Sequence, residues 1–194
     1  MLARGVQGVS LIEIMIGMAL FAILLLAAVP TFTTFMQNAR LRAVAESFQS
    51  GLQLARTEAI KRNGRAELVV TDDEPVASNV DAATAIVTGQ GWIVRFANPA
   101  TGFNDFVEGK SSLEGSAASG STVAVAATDA TIAFNSFGAT TLTGTSTFQF
   151  TNPSGGACAS ASGPMRCLNV TVTPSGQIKM CDPSILTVGD TRKC

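Results

Sequence analysis

Residues 9–35 carry a single charge, Glu13, and from Ile14 to Phe35 there is none. In a chain of 194 residues this run decides the architecture, because apolar side chains at that density must be removed from water. As a helix rising ~1.5 Å per residue, about 20 such residues cover the hydrocarbon of a bilayer. The stretch before it, MLARGVQG, holds one basic residue, Arg4, and ends in glycine. The run lacks the short apolar core and small-residue cleavage site of an ordinary secretory signal. Pro30 removes a backbone donor and crowds the preceding turn, so the helix is expected to kink there. Glu13 needs more explanation, since a carboxylate in an apolar helix costs a few kcal/mol and normally has a partner. The positive terminal amine of a neighbouring copy would supply one and fix the axial register between subunits. A plain anchor with Glu13 at headgroup level is the alternative.

Gly8, then Val9-Ser10-Leu11-Ile12-Glu13 and an apolar helix, resembles the type IV prepilin class of pilins and type II secretion pseudopilins. The resemblance implies cleavage by a prepilin peptidase after Gly8 and N-methylation of the new terminus, Val9. It also implies that Glu13 sets the assembly register and that Pro30 marks the helix kink. Val9 departs from the family pattern, in which phenylalanine or methionine is commoner as the first mature residue.

Beyond Met36 the pattern becomes amphipathic. Leu41, Val44, Ala45, Phe48, Leu52, Ala55 and Ala59 recur at spacings of three and four, with Arg40, Glu46, Gln49, Gln53, Arg56 and Lys61 on the other faces. Lys61 and Arg62 suit the negative end of a helix, and Asn63-Gly64 supplies a stop. One helix over about residues 9–63 would be roughly 80 Å long at ~1.5 Å per residue. The phrases LQLARTEAIKRNGRAELVV (52–70), GWIVRF (91–96), IAFNSFG (132–138) and VTVTPSGQIKMC (170–181) resemble, in order, the GspH/FimT group of minor pilins and pseudopilins. That group's architecture is an α+β type IV pilin fold, a long N-terminal helix packed on antiparallel sheet. The organisation it implies here is a cleaved leader over 1–8, a transmembrane and assembly helix over 9–35, and a periplasmic head over 36–194. The head comprises the helix 36–63 and a β-rich domain.

Alternating or β-branched runs point to strands near 66–71, 91–97, 121–126, 131–135, 146–151, 168–173 and 177–181. Trp92, Val94 and Phe96 share one face, as do Phe148 with Phe150 and Val170 with Val172, and these faces are expected against the helix stripe. Residues 101–120 show no period and read as a surface loop. Asp72, Asp73 and Glu74, followed by Pro75, read as a solvated turn and not a calcium loop.

Chemistry is restricted by composition. With no histidine, histidine-based acid–base catalysis and histidine metal sites are excluded, and no nucleophile motif or phosphate loop is present, so an enzyme is not expected. No cofactor is implied. The net charge of −1 gives no global attraction to nucleic acid. Cys158, Cys167, Cys181 and Cys194 crowd the tail, and an even set in an exported domain reads as two disulfides. Of three connectivities, the sequential pairs Cys158–Cys167 and Cys181–Cys194 are favoured because each closes a short loop. A zinc site lacks the usual closely spaced cysteine pair.

The reading is a structural subunit, a minor pilin processed by prepilin peptidase, held in the bacterial inner membrane with its head in the periplasm before assembly. Its partners are other pilins, met through the N-terminal helix, and its expected place is the tip or priming complex of a type IV pilus. The alternatives are a type II secretion pseudopilin and a DNA-binding pilin for natural transformation. For the last, Arg166, Lys179, Arg192 and Lys193 would form a basic patch near the disulfides. Some FimT-type members bind DNA through a G-R-x-R phrase in the last hairpin. Here that phrase is Gly176-Gln177-Ile178-Lys179, with one arginine missing and one replaced by lysine.

Overall fold

A stripe of small and large apolar residues on one helix, and strands with one apolar face each, leave little choice but helix against sheet. The computed structural model describes residues 10–89, 91–111 and 123–194, without the side chains of 26–31. Its helix α1 spans Leu11–Lys61. The chain divides into two units, Met1–Met36 and Gln37–Cys194. The first consists of the apolar part of α1, whose helical backbone continues past Pro30.

Among the described residues, the second unit adds eight strands to the rest of α1. They are β1 (Ala66–Thr71), β2 (Gly91–Ala97), β3 (Asn104–Lys110), β4 (Ala124–Ala127), β5 (Thr131–Phe134), β6 (Ser146–Thr151), β7 (Leu168–Val172) and β8 (Ile178–Cys181). One four-stranded sheet has the order β3-β2-β1-β5 and the other β4-β6-β7-β8. Every pairing between these strands is antiparallel.

The two sheets and the helix share one core. From α1 come Leu41, Ala45, Phe48, Leu52, Ala55 and Ala59, all buried, with Val44 half-buried beside them. Leu68, Val70, Trp92, Val94 and Phe96 come from the first sheet, and Phe148, Phe150, Val170 and Val172 from the second. Phe48 joins them, its ring centroid 5.9 Å from that of Phe148 and 5.2 Å from that of Phe150. Trp92 is a core residue whose indole N–H donates to Ser47 Oγ at 3.1 Å, which satisfies its one polar group.

The helix stops where the sequence indicates, by a specific cap. Asn63 takes φ +49°, its N–H donates to the Ile60 carbonyl at 3.2 Å, and the Gly64 N–H donates to the Ala59 carbonyl at 3.0 Å. This is a Schellman arrangement with asparagine in the left-handed position. Glu58 in the last turn is buried, and Lys61 at 3.1 Å and Arg62 at 2.7 Å close over it.

The loop expected over 101–120 is corrected. Asn104–Lys110 is strand β3, paired to β2 with a register shift at Val94/Arg95, while 112–120 lie outside the described residues. Three charges, an asparagine and a glycine hide β3 in the sequence. Its extended form comes from hydrogen bonding to β2 and from contacts such as Arg62 to Asp105 at 3.2 Å.

Candidate assembly interface

The functional surface begins with the apolar helix. Leu11, Ile12, Ile14, Met15 and Ile16 are all more than half exposed in the single chain. A continuous apolar surface of this kind is covered by lipid or by other subunits when the protein works. Among the described residues no helix is long and apolar enough to cross a membrane, and the side chains of 26–31, inside the apolar run, are not among those described.

Glu13 lies in the first turn of α1. The Ser10 carbonyl accepts from the N–H groups of Glu13 at 3.1 Å and Ile14 at 3.2 Å, so Ser10 is where helical bonding starts. A carboxylate in that turn is favoured by the positive helix end, and Ser10 to Glu13 has the spacing of a capping box. That spacing is itself a sequence signal for the start of a helix. Gly8 and Val9 lie outside the described residues, and at Pro30 only the helical backbone is described.

The tail is held by two disulfides, Cys158–Cys167 with Cα atoms 5.4 Å apart and Cys181–Cys194 at 5.0 Å. The first loop is tied to the helix by the Arg166 N–H, which donates to Asn38 Oδ1 at 2.8 Å. The second folds the chain end back beside β8, with the Asp182 N–H donating to the Arg192 carbonyl at 2.7 Å.

Arg166, Lys179, Arg192 and Lys193 do converge on this region, but around two acids. Asp182 is 4 % exposed and accepts from the Ser184 N–H at 2.9 Å and from Arg166 at 3.2 Å. Burial by itself would raise the Asp182 pKa, yet the hydrogen bonds from Ser184 and Arg166 outweigh it and hold the group below its ordinary value. Asp190 is bound by Arg192 through Nε at 3.1 Å and Nη2 at 2.8 Å, and these bonds lower its pKa to about 2. Lys179 Nζ donates to the Lys193 carbonyl at 2.7 Å, and Lys193 Nζ to the Leu186 carbonyl at 3.4 Å. Each of the four cations therefore has a partner within the tail.

Gly176, the first residue of the hairpin phrase, has a packing role. It adopts φ +80°, and a Cβ there would overlap the Gly138 carbonyl. The turn after β5 and the last hairpin thus touch backbone to backbone, joined further by Thr140 Oγ1 donating to the Thr173 carbonyl at 3.2 Å. The acidic group after β1 is also structural: Asp73 Oδ2 accepts from the Thr84 N–H at 2.7 Å and the Thr71 hydroxyl at 3.1 Å.

A family model described as Type II transport protein GspH matches residues 44–176. The chain belongs to the GspH family. A second model, the prokaryotic N-terminal methylation motif, matches residues 3–29 and so contains the Gly8 to Glu13 junction. Among solved structures the chain is similar to the type IV minor pilin FimU of Pseudomonas aeruginosa strain PAO1 in space group P21. That match has a TM-score of 0.51 and 14 % identity, covering 75 % of this chain and 91 % of that one. FimU in space group P65 also matches, with a TM-score of 0.47, 13 % identity and coverage of 72 % and 90 %. None of the curated proteins matches the chain. The fold of this GspH-family chain is therefore the pilin fold, a long N-terminal helix on antiparallel sheets with two disulfides near the C-terminus. Members of this family are structural subunits and not enzymes, and this one is a membrane-anchored subunit that assembles with other pilins into a pilus or pseudopilus.

Proposed function

We propose that the chain is a minor pilin of a type IV pilus, cleaved after Gly8 by prepilin peptidase, methylated on Val9 and placed in the tip or priming complex. Before assembly it sits in the inner membrane as a single span over residues 9–35, with the head 36–194 in the periplasm. On assembly the apolar helix exchanges lipid for neighbouring helices, and Pro30 loosens the helix for that packing. The observation that carries this reading is Glu13, the lone charge of the apolar run, inside a stretch matched by the methylation motif. The terminal amine of a neighbouring copy neutralises it and sets the rise from subunit to subunit.

The test separates anchoring from assembly. Glu13→Ala is expected to leave the protein in the membrane fraction and to deplete it from sheared fibres. Its normal incorporation would contradict the register argument.

The second reading, a pseudopilin of a type II secretion system, is favoured by the description of the matched family, Type II transport protein GspH. It requires the same processing and the same use of Glu13. DNA is the partner this geometry favours least, because Arg166 and Arg192 are paired with Asp182 and Asp190 and the two lysines are bound to carbonyls.

A further inference from the structure

Most cations of the head have a carboxylate close by. Arg42 pairs with Glu46, Lys61 and Arg62 with Glu58, and Arg65 and Arg95 with Glu67. Arg56, on α1, does not. Among the described residues no carboxylate pairs with it, and its Nε is buried without a hydrogen-bond partner. Arg40 and Lys110 likewise lack a carboxylate there but are exposed, and Lys179 and Lys193 are bound to carbonyls. A buried donor without a partner is costly, so native chains rarely keep one without a reason.

The cause of the burial is the turn after β5. Gly138, at φ +75°, lies over the arginine, where a Cβ would come within 2.9 Å of both Arg56 Nε and Ile60 Cδ1. That turn is held by its own bonds. The Phe137 and Ala139 N–H groups donate to Asn135 Oδ1 at 3.0 and 3.1 Å, and the Gly138 N–H donates to the Asn135 carbonyl at 2.9 Å. The result is a fixed turn whose Gly138 lies against Ile60, 49 % exposed, and whose preceding residue, Phe137, is 89 % exposed.

We infer that Arg56, Ile60 and Phe137 form a docking point for a neighbouring pilin-family subunit that presents a carboxylate beside an apolar side chain. A half-buried guanidinium without an anion, flanked by an exposed aromatic and an exposed aliphatic side chain, has the composition of an interface anchor. Its planar fork matches a carboxylate, and its two terminal amines, unlike the Nε beneath the turn, are not among the buried unpaired atoms and can meet one brought by a neighbour. A neighbouring subunit is the occupant because family members assemble side by side into a fibre. A single cation, with acidic Glu58 two residues along the helix, is a poor match for a polyphosphate or a lipid surface.

The experiment uses the full-length chain in its own cells, with a photoreactive phenylalanine analogue in place of Phe137. Adducts in the membrane and fibre fractions are identified by mass spectrometry, so that failure to enter fibres is read separately from loss of the contact. The expected result is an adduct to another pilin-family subunit on a peptide containing Asp or Glu. Arg56→Ala should cut its yield about tenfold, the scale of one charge-assisted contact, while Arg56→Lys keeps part of it. Ile60→Asp provides an internal carboxylate on a half-exposed side chain and should lower the yield as well. It decides the matter if Arg56→Ala fails to form both disulfides. An unchanged yield in these variants, an adduct only to nucleic acid or lipid, or no adduct would overturn the proposal.

Discussion

Two residues show how tightly the head depends on local chemistry. Asp182 is a buried carboxylate held ionised by Ser184 and Arg166, and Glu58 is another, held by Lys61 and Arg62. For both, burial works against the charge and the hydrogen bonds win, so both pKa values lie below the ordinary 3.8 and 4.5. A carboxyl more acidic in the folded than in the unfolded chain stabilises the fold fully above its unfolded pKa, and the contribution drains away as pH falls through the folded value. Asp190, lowered to about 2 by Arg192, follows the same sign. Stability should therefore hold from neutral pH down to about 4.5 and fall steadily towards about 2, as read by urea midpoints. Asp182→Asn should flatten part of that acid limb, and a wild-type midpoint that does not move over this range would contradict the assignment. Gly176→Ala should cost ~1–3 kcal/mol by denaturant titration, because the new Cβ meets the Gly138 carbonyl and the φ is left-handed. The sequence showed the four cysteines, the Trp92 face and the cations of the tail. It did not show that the cations are bound to acids and carbonyls, because those partners are brought in by the fold of the tail.

Among elements, α1 was the most legible. Six positions of its stripe are buried, and its end at Lys61 agrees with the Asn63-Gly64 stop, because side-chain periodicity and capping act locally. Strands β1, β2 and β6 were legible for the same reason, since each alternates or is β-branched by itself. Strand β3 was not, because in Asn104–Lys110 only Phe106 and Val107 favour extension and the other five residues do not, so its form depends on β2 beside it. The tail is likewise an element fixed from outside. It closes on β8, a sheet edge, and the Cys181–Cys194 bond holds it there. Replacing both members of either disulfide by serine should cost ~2–4 kcal/mol in the denaturation midpoint. No loss of stability would mean that hydrogen bonds such as Asp182 N–H to Arg192 already fix the tail.

On the scale of the whole molecule, the chain divides its work. The head 37–194 satisfies itself with one core, while the helix before it is apolar and exposed and depends on lipid or on other subunits. That division follows from the sequence, because a run with one charge in 27 residues and a head with a helix stripe and matching strand faces need different surroundings. The particular fibre is not written in the same way, since a pilus and a pseudopilus ask the same of Glu13. The central claim, a minor pilin that primes a type IV pilus, is tested by one measurement. It is the amount of surface pili sheared from cells lacking this chain, compared with cells in which it is restored. The account predicts loss of pili and their return on restoration. Normal pili in its absence would contradict it and would favour the secretion pseudopilus or the DNA-binding pilin instead.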